Sequence, residues 1–207
     1  FNSKIIWGPI SHHEPIPNFF SGRFSRYSSL FVMLIRRFFW FILNFKKRFT
    51  KFDIVLFSNY SVVKRLGYNE NFIYFPSTGF STNNTLMLPQ NKNDINLLYI
   101  ARFVPIKGWD VIFETIRYLL NSNVKQNLFF KFVGDGPEFN SFSLKIKNLK
   151  LPSNIKIILY GKLEYIDVLK LYNDTDIYLC PSFEGGGVAV AEAMSYSLPV
   201  VCFDNYG

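Results

Sequence analysis

Short apolar runs alternate with helical patterns along most of the chain. From residue 53 onward the runs are bounded by charged or turn-forming residues, which is typical of buried strands. The predicted strands are DIVLFSN (53–59), NFIYFP (71–76), INLLYIAR (95–102), NLFFKFVG (127–134), NIKIILYG (154–161), DIYLCPS (176–182) and LPVVCFD (198–204). Helical periodicity indicates helices at about 60–67, 109–120, 137–149, 164–173 and 188–196. This alternation predicts an α/β fold in which helices cover both faces of a parallel sheet.

A polar segment interrupts the alternation and divides the chain. The stretch STGFSTNNTLMLPQNKNDI (77–95) is rich in Asn and lacks a clean period, so we predict an interdomain linker there. Residues 96–207 are predicted to form one Rossmann-like domain, truncated at its end. Residues 1–76 open on the apolar run SKIIWGPI without a starting Met, and we expect them to be the C-terminal part of another domain.

Composition and charge narrow the functional classes. Of the 207 residues, 49% are hydrophobic, which is enough for a sizeable core. The net charge is +8, but residues 1–51 hold nine Lys and Arg against the single acid Glu14, and the rest of the chain holds fourteen charges of each sign. This distribution excludes a uniformly basic nucleic-acid binder. Cys180 and Cys202 are predicted to be buried free thiols. The two histidines, His12 and His13, are too few for a metal cluster.

The stretch PSFEGGGVAVAEAMSYSLPVV (181–201) carries the clearest chemistry. A strand, a loop of three glycines and an Ala-rich helix follow one another, so backbone N–H groups can approach an anion at the start of the helix. Glu184 and Glu192 flank that position, and carboxylates accept hydrogen bonds from hydroxyl groups. The pattern favours a ligand with hydroxyls on both sides of a phosphate, as in a nucleotide-sugar. The alternative is an ordinary Rossmann-like turn with two solvated glutamates.

Three motifs in order resemble a known family. LLYIARFVPIKGWDVIFETI, FKFVGDGPEF and YNDTDIYLCPSFEGGGVAVAEAMSYSLPVV look like the nucleotide-sugar-binding half of a GT-B glycosyltransferase of family 4, the glycosyl transferases group 1. The family's E-x7-E signature falls on Glu184 and Glu192. The similarity covers nearly all of residues 96–207 and, less securely, 1–76. It implies two Rossmann-like domains and an enzyme that retains anomeric configuration without a metal or other cofactor.

By the same resemblance, Arg102 and Lys107 match the pair that clamps the donor diphosphate. Their positions agree with that role, because Arg102 ends a predicted strand and Lys107 lies in the following loop, where ligands of parallel sheets bind. Two cations there would neutralise the charge that grows on a leaving diphosphate. We therefore assign donor activation to Arg102 and Lys107. A surface salt-bridge pair is the alternative.

The resemblance also assigns substrate contacts. Glu184 matches the residue that contacts the donor sugar, and Glu192 matches the residue that holds the ribose hydroxyls. The remaining matched positions, which would line the donor cleft or offer backbone N–H groups to it, are Gly134, Gly161, Gly186, Gly187 and Val188. Gly134 belongs to the turn VGDGP (133–137), which lacks the third glycine of a dinucleotide fingerprint. For Gly161, a plain turn is an equal alternative to a contact with the base.

The chain departs from the family pattern at three positions. Ala101 replaces the usual Gly before Arg102, Gly186 stands where a bulky residue is common, and Ser197 replaces the usual Gly of the turn after the helix. None of these changes removes a charged group, so donor binding is expected to survive them.

The first quarter of the chain holds two further candidates. In WGPISHHEPIPNFF (7–20), the residues His13-Glu14-Pro15 match a family loop with a catalytically important His, whereas Gly8-Pro9 match a glycine-rich loop of another branch. An imidazole in the cleft would stabilise charge on the donor sugar or hold the acceptor. A solvated loop histidine is the alternative, and His12 is the weaker candidate of the two.

The second candidate is a helix predicted from about Ser21 to Lys51. Most of its Lys and Arg fall in one arc of roughly 140°, although Trp40 and Phe41 also lie in that arc and Lys46 lies outside it. A transmembrane span is disfavoured because Arg36 and Arg37 would lie in mid-bilayer. The pattern fits a helix on an anionic membrane surface. It equally fits a helix that packs its apolar face into the first domain.

The expected function is transfer of a sugar from a nucleotide-sugar donor to a polysaccharide or lipid-linked acceptor. The expected location is cytoplasmic, with peripheral contact at the inner face of the cell membrane left open. Two alternatives remain: a nucleotide-sugar 2-epimerase of the same fold, which has no use for the basic helix, and a non-catalytic nucleotide-sugar-binding protein, against which the intact charged residues argue.

Overall fold

The computed structural model describes residues 3–10, 34–35, 37–42, 44, 52–67, 70–75, 93–183 and 187–203. The chain divides into two compact units, Phe1–Gly79 and Phe80–Asn205, the last two residues aside. Most of the predicted linker, 77–95, lies outside the described residues, and its end at 94–95 is already part of a strand. The predicted domain boundaries stay a prediction.

The first unit contains a small parallel sheet. Strand β1 (Ile6–Ile10) pairs with β2 (Ile54–Phe57), and β2 pairs with β3 (Phe72–Tyr74). Helix α1 (Tyr60–Leu66) follows β2. The buried side chains that form the core of this unit are Trp40, Val55, Phe57, Val62, Leu66 and Phe72. The alternation of buried and partly exposed residues along β2 follows from the two-residue period of a strand.

The described part of the predicted basic helix is helical at 34–35, 37–42 and 44. Its burial differs from the helical-wheel expectation. Trp40, which the wheel places in the basic arc, is buried in the core of the first unit, whereas Phe38 and Phe39 are 64% and 61% exposed. A helical wheel shows only how residues are distributed around the helix. Packing against the neighbouring elements determines which of its sides is buried. The rest of the segment 21–51 lies outside the described residues.

The second unit is a five-stranded parallel sheet. Its strands are β4 (Asp94–Ile100), β5 (Asn127–Val133), β6 (Ile155–Gly161), β7 (Ile177–Cys180) and β8 (Val200–Cys202). Their order in the sheet is β6-β5-β4-β7-β8. The chain therefore winds from β4 outward in one direction to β6 and then crosses over to β7 and β8. This is the strand order of a Rossmann fold, and it confirms the predicted α/β class.

Four helices of the second unit cover the two faces of this sheet. Helices α2 (Trp109–Leu120) and α3 (Phe139–Lys147) pack on one face, and α4 (Tyr165–Asn173) and α5 (Gly187–Ser195) pack on the other. All four agree with the helices predicted from periodicity to within about two residues. Among the described residues, no helix is both long enough and apolar enough to cross a membrane.

Phenylalanine fills the first face of the sheet. Phe103, Phe130, Phe132 and Phe142 are at most 1% exposed, and Phe142 lies with its ring centroid 4.7 Å from that of Phe132 and 5.1 Å from that of Phe103. Aromatic pairs at such distances contribute beyond the area that they bury. The cysteines differ from the prediction of burial, since Cys180 is half-buried and Cys202 is exposed.

Helix α5 ends in a Schellman motif whose left-handed residue is a serine. The N–H of Leu198 donates to the carbonyl of Ala193 at 3.1 Å, and the N–H of Ser197 donates to the carbonyl of Met194 at 2.9 Å. Ser197 has φ of +59°, a value at which a Cβ atom is strained. The geometry explains why glycine is expected at this position.

Ser197→Gly should therefore stabilise the protein. Removing the Cβ strain outweighs the extra freedom of glycine in the unfolded chain, and we expect the free energy of unfolding to rise by about 0.5–1 kcal/mol. Urea unfolding of the second unit measures this change. Ser197→Ala, which keeps the Cβ atom, is the matched control and should bring no gain. A loss of stability in the glycine variant would contradict the conclusion that the Ser197 backbone is strained.

Candidate functional site

The point where the strand order reverses lies between β4 and β7. Connections leave these neighbouring strands toward opposite faces of the sheet, which opens a crevice beyond their carboxyl ends. A cavity of about 170 Å³ lies there. It is lined by the ends of β4 and β7, the turn after β4 and the first residues of α5. Its lining residues include Tyr99, Lys107, Tyr178, Cys180, Gly187 and Val188.

The turn after β4 brings Lys107 to this cavity. Residues Pro105–Lys107 form a single 3-10 turn that ends at Gly108 in the left-handed conformation. A Cβ atom at Gly108 would lie 2.0 Å from the carbonyl oxygen of Pro181, so only glycine allows this turn to touch the loop after β7. The N–H of Phe183 also donates to the carbonyl of Ile106 at 2.8 Å. The turn and the loop after β7 are therefore held together through their backbones.

Two buried tyrosines fix the floor of the cavity. The hydroxyl of Tyr99 donates to the carbonyl of Lys107 at 3.2 Å, and the hydroxyl of Tyr178 donates to the carbonyl of Ile100 at 3.2 Å. Burial raises the pKa of both phenols well above the usual value, so both remain neutral donors. Burial likewise raises the pKa of the Cys180 thiol, which disfavours a thiolate at the cavity.

The loops after β4 and β5 also touch through backbone atoms. A Cβ atom at Gly134 would lie 2.0 Å from the carbonyl oxygen of Ala101, and Gly134 has φ of +127°. The N–H of Gly134 donates to the carbonyl of Gly161 at 2.7 Å, and the N–H of Phe103 donates to the carbonyl of Asp135 at 2.9 Å. These bonds join the ends of three neighbouring strands.

Glu192 lies on the second turn of α5 and faces α4. Its carboxylate accepts a hydrogen bond from the hydroxyl of Tyr165 at 2.9 Å and another from the hydroxyl of Tyr172 at 3.2 Å. The side chain is half-buried. The hydrogen bond to this carboxylate raises the pKa of Tyr165, and burial together with the carboxylate raises the pKa of Tyr172.

The structure brings only part of the predicted set to the cavity. Lys107, Gly187 and Val188 line it, whereas Arg102 is exposed in the loop after β4 and is not among the lining residues. Gly134 follows β5 and Gly161 ends β6; the two are joined by a backbone hydrogen bond, and neither is among the residues that line the cavity. His13, Glu184 and Gly186 lie outside the described residues. No cluster of three His, Cys, Asp or Glu suited to a metal ion occurs in the described part of the chain.

The tyrosines around the site were not predicted. Tyr165 and Tyr172 lie seven residues apart in YIDVLKLY, a spacing that places both on one face of a helix, and this was the available signal. Tyr99 and Tyr178 lie in apolar strands and were indistinguishable there from core residues. Their hydroxyls find backbone partners only once the strands are neighbours in the sheet.

Comparisons with known proteins agree with this architecture. The family Glycosyl transferases group 1 matches residues 86–207. An uncharacterized glycosyltransferase of Methanocaldococcus jannaschii is 30% identical over 114 residues, which are 54% of this chain and 29% of that protein. The phosphatidylinositol N-acetylglucosaminyltransferase GPI3 subunit of Saccharomyces cerevisiae is 29% identical over 113 residues, which are 54% of this chain and 24% of that protein.

Solved structures share the fold at low identity. S. aureus TarM, determined in complex with Fondaparinux, alpha-GlcNAc-glycerol and UDP, superposes with a TM-score of 0.60 at 21% identity over 75% of this chain and 31% of that chain. WaaG, a glycosyltransferase involved in lipopolysaccharide biosynthesis, superposes with a TM-score of 0.56 at 18% identity over 74% of this chain and 45% of its own. The chain thus spans less than half the length of each of these proteins.

Gly134→Ala should lower the stability of the fold and not only the affinity for a ligand. The new Cβ atom meets a carbonyl oxygen and the backbone is in a left-handed region, so we expect a loss of about 3 kcal/mol in the free energy of unfolding. Gly161→Ala is the control: its φ is +69° but its Cβ atom would meet nothing within 4 Å. That variant should lose only about 1 kcal/mol. Equal losses in urea unfolding would contradict the close backbone contact.

Proposed function

The chain belongs to the glycosyl transferases group 1 family and has the α/β fold of GT-B glycosyltransferases, and on that premise we propose that the second unit binds the nucleotide-sugar donor of a glycosyltransferase. The observation that carries the proposal is the cavity between β4, β7 and the start of α5, with Lys107 in its wall. The whole protein would transfer the sugar to a glycan or lipid-linked acceptor. The named relatives support the reaction class.

The chemistry of the cavity suits a phosphate group. The first N–H groups of α5 have no partner within the helix and carry the positive end of its dipole. Lys107, which lines the same cavity, adds a positively charged side chain. At about 170 Å³ the cavity is smaller than the roughly 300–1,000 Å³ of sites for drug-sized ligands. It would hold the diphosphate, while the sugar and the nucleoside extend from it on either side.

Two cationic side chains near a leaving diphosphate would supply most of the electrostatic stabilisation of the transition state. Negative charge grows on the diphosphate as its bond to the sugar breaks, and fixed positive charge lowers the energy of that transition state. Lys107 is held by the short turn, and we propose that Arg102, which is exposed in the same loop, joins it when the donor is bound. Metal independence and retention of configuration follow from the family resemblance and stay predictions, as do the roles of His13 and Glu184.

Glu192 suits the nucleoside end of the donor. It lies one turn beyond Val188 and Ala189, which line the cavity, on the same helix. A carboxylate one helical turn away from the proposed phosphate position can accept hydrogen bonds from ribose hydroxyls without direct contact with the phosphate. We therefore keep Glu192 as the ribose residue of the proposed site.

The described helix of the first unit supports a membrane-bound acceptor at the inner face of the membrane. Leu34, Phe38, Phe39 and Phe41 are each at least 58% exposed beside the exposed Arg37. Apolar side chains next to basic ones suit the interface of an anionic bilayer. The yeast relative, whose name gives phosphatidylinositol as a substrate, is consistent with a lipid-linked acceptor.

A donor screen on the full-length protein tests the function directly. Each common nucleotide-sugar is incubated with the protein, with and without membrane extract, and release of the free nucleotide is measured. Release that requires membrane extract supports transfer to a membrane acceptor. Conversion of the donor to an isomer without nucleotide release would instead identify an epimerase.

Removal of the Lys107 charge should weaken binding of the donor nucleotide. We expect Lys107→Ala and Arg102→Ala each to lower the affinity for the nucleoside diphosphate by about 1.5–3 kcal/mol, the range of hydrogen bonds to charged groups. Titration calorimetry measures the change. Lys125→Ala is the matched control, because this exposed lysine precedes β5 at the opposite end of the sheet. Unchanged affinity in both site variants would reject the diphosphate clamp.

The basic helix should bind anionic vesicles. Each basic residue near an anionic membrane surface contributes about 1 kcal/mol to binding. A variant with four fewer charges (Arg36→Gln, Arg37→Gln, Lys47→Gln, Arg48→Gln) should therefore dissociate from vesicles rich in phosphatidylserine at low salt. Phe38→Ser with Phe39→Ser should weaken binding to anionic and neutral vesicles alike. Co-sedimentation at two salt concentrations measures both effects.

The control for charge carries the same change in the second unit. Four of the exposed lysines of this unit are Lys125, Lys147, Lys150 and Lys162. Replaced by Gln, they should leave vesicle binding almost unchanged. If the control is released as completely as the helix variant, net charge and not the helix is responsible.

A further inference from the structure

The geometry points to Tyr165 and Tyr172 as positioning residues that hold the Glu192 carboxylate for recognition of the ribose hydroxyls. The inference rests on the proposed function, in which Glu192 contacts ribose. It adds the two side chains that would make this contact selective for a ribonucleotide over a deoxyribonucleotide.

The two tyrosines approach the carboxylate from one helix and use one oxygen each. Tyr165 donates to Oε1 of Glu192 at 2.9 Å, and Tyr172 donates to Oε2 at 3.2 Å. A separation of seven residues is about two helical turns, so both side chains lie on the face of α4 that meets α5. With both oxygens held, rotation of the carboxylate about its last bond is restricted.

Two acceptor positions remain on the carboxylate. An ionised carboxylate offers about four lone-pair sites, and the two tyrosines use one on each oxygen. Glu192 forms no ion pair with a Lys or Arg of the described residues. Neutral donors orient the group without cancelling its charge, so it stays a strong acceptor. The hydrogen bond to Glu192 raises the pKa of Tyr165, and burial followed by the Glu192 charge raises the pKa of Tyr172, so both remain donors at neutral pH.

The two tyrosines differ in how firmly they are held. Tyr172 is 1% exposed, its ring stacks on that of Tyr196 at 5.1 Å, and its hydroxyl is also 3.5 Å from the carbonyl oxygen of Ala189. Tyr165 is 61% exposed at the start of α4. Tyr172 thus forms the fixed side of the arrangement. Tyr165 forms the side next to solvent, where a bound nucleoside would lie.

Selectivity for ribose distinguishes a positioning role from a purely structural link between α4 and α5. Loss of a structural link would lower the stability of the protein and its affinity for all ligands equally. A positioning residue affects only ligands that carry the hydroxyl which Glu192 accepts. Tyr165→Phe is the variant of choice, since it removes one hydroxyl from an exposed side chain and keeps the ring.

The experiment measures the affinity of the full-length protein for UDP, GDP and ADP and for the 2′-deoxy and 3′-deoxy analogue of each. We expect the wild type to bind at least one ribonucleotide about tenfold or more tightly than one of its deoxy analogues. Tyr165→Phe should lower the affinity for that ribonucleotide about threefold to tenfold and leave the affinity for the weaker-binding deoxy analogue unchanged. Tyr118→Phe, a tyrosine on α2 that is 76% exposed, is the matched control and should bind like the wild type.

A second variant shows whether Tyr165 acts through Glu192. In a Glu192→Gln background, Tyr165→Phe should cause no further loss of ribonucleotide affinity, because the group that it positions has gone. Full additivity of the two losses would overturn the inference. So would a Tyr165→Phe protein that binds the ribonucleotide like the wild type, or one that loses affinity for the ribo and deoxy forms equally. A wild type that binds none of the nucleoside diphosphates would overturn the proposed function itself.

Discussion

The close approach of loop backbones at the carboxyl edge of the second sheet is the constraint on which the candidate site depends. Gly108 and Gly134 each lie where a Cβ atom would be 2.0 Å from a carbonyl oxygen of the neighbouring loop. No side chain fits between these loops, so their main chains set the distances. The turn that carries Lys107 is thereby held against the loop after β7. A site for phosphate, which is bound chiefly through backbone N–H groups and one or two cations, benefits from walls of this kind.

The hydrophobic core extends into this edge through tyrosine. Tyr99 belongs to the core on one face of the sheet and Tyr178 to the core on the other, and each hydroxyl donates a hydrogen bond to a backbone carbonyl of a residue that lines the cavity. A tyrosine buries a large apolar ring and still needs a partner for its hydroxyl. For Tyr99 that partner is the carbonyl of Lys107 in the turn after β4, and for Tyr178 it is the carbonyl of Ile100 at the end of β4. Core packing on the first face and the position of the Lys107 turn are therefore linked through Tyr99.

Much of the second unit could be predicted because its sheet is buried on both faces. Strands such as β5 then read as continuous apolar runs, and the helices between them keep a clear period. Lys107 could be placed at the carboxyl edge from topology alone. The partners of Glu192 could not, because they depend on how α4 and α5 pack. The burial of Trp40, which lies in the basic arc, could not be predicted for a similar reason, since periodicity within a helix does not say which neighbour covers it.

The departures from the family pattern have different physical weights in this fold. At position 101 the contact with Gly134 uses the carbonyl oxygen, which every residue has, and the Ala101 side chain packs against the first core. At position 197 the backbone itself is left-handed, so serine is strained. The turn nevertheless keeps both Schellman bonds, and Leu198 beyond it is buried. Tyr196, just before the strained residue, stacks on Tyr172, whose hydroxyl reaches Glu192. The same aromatic contact therefore connects the end of α5 with the tyrosine that holds the Glu192 carboxylate.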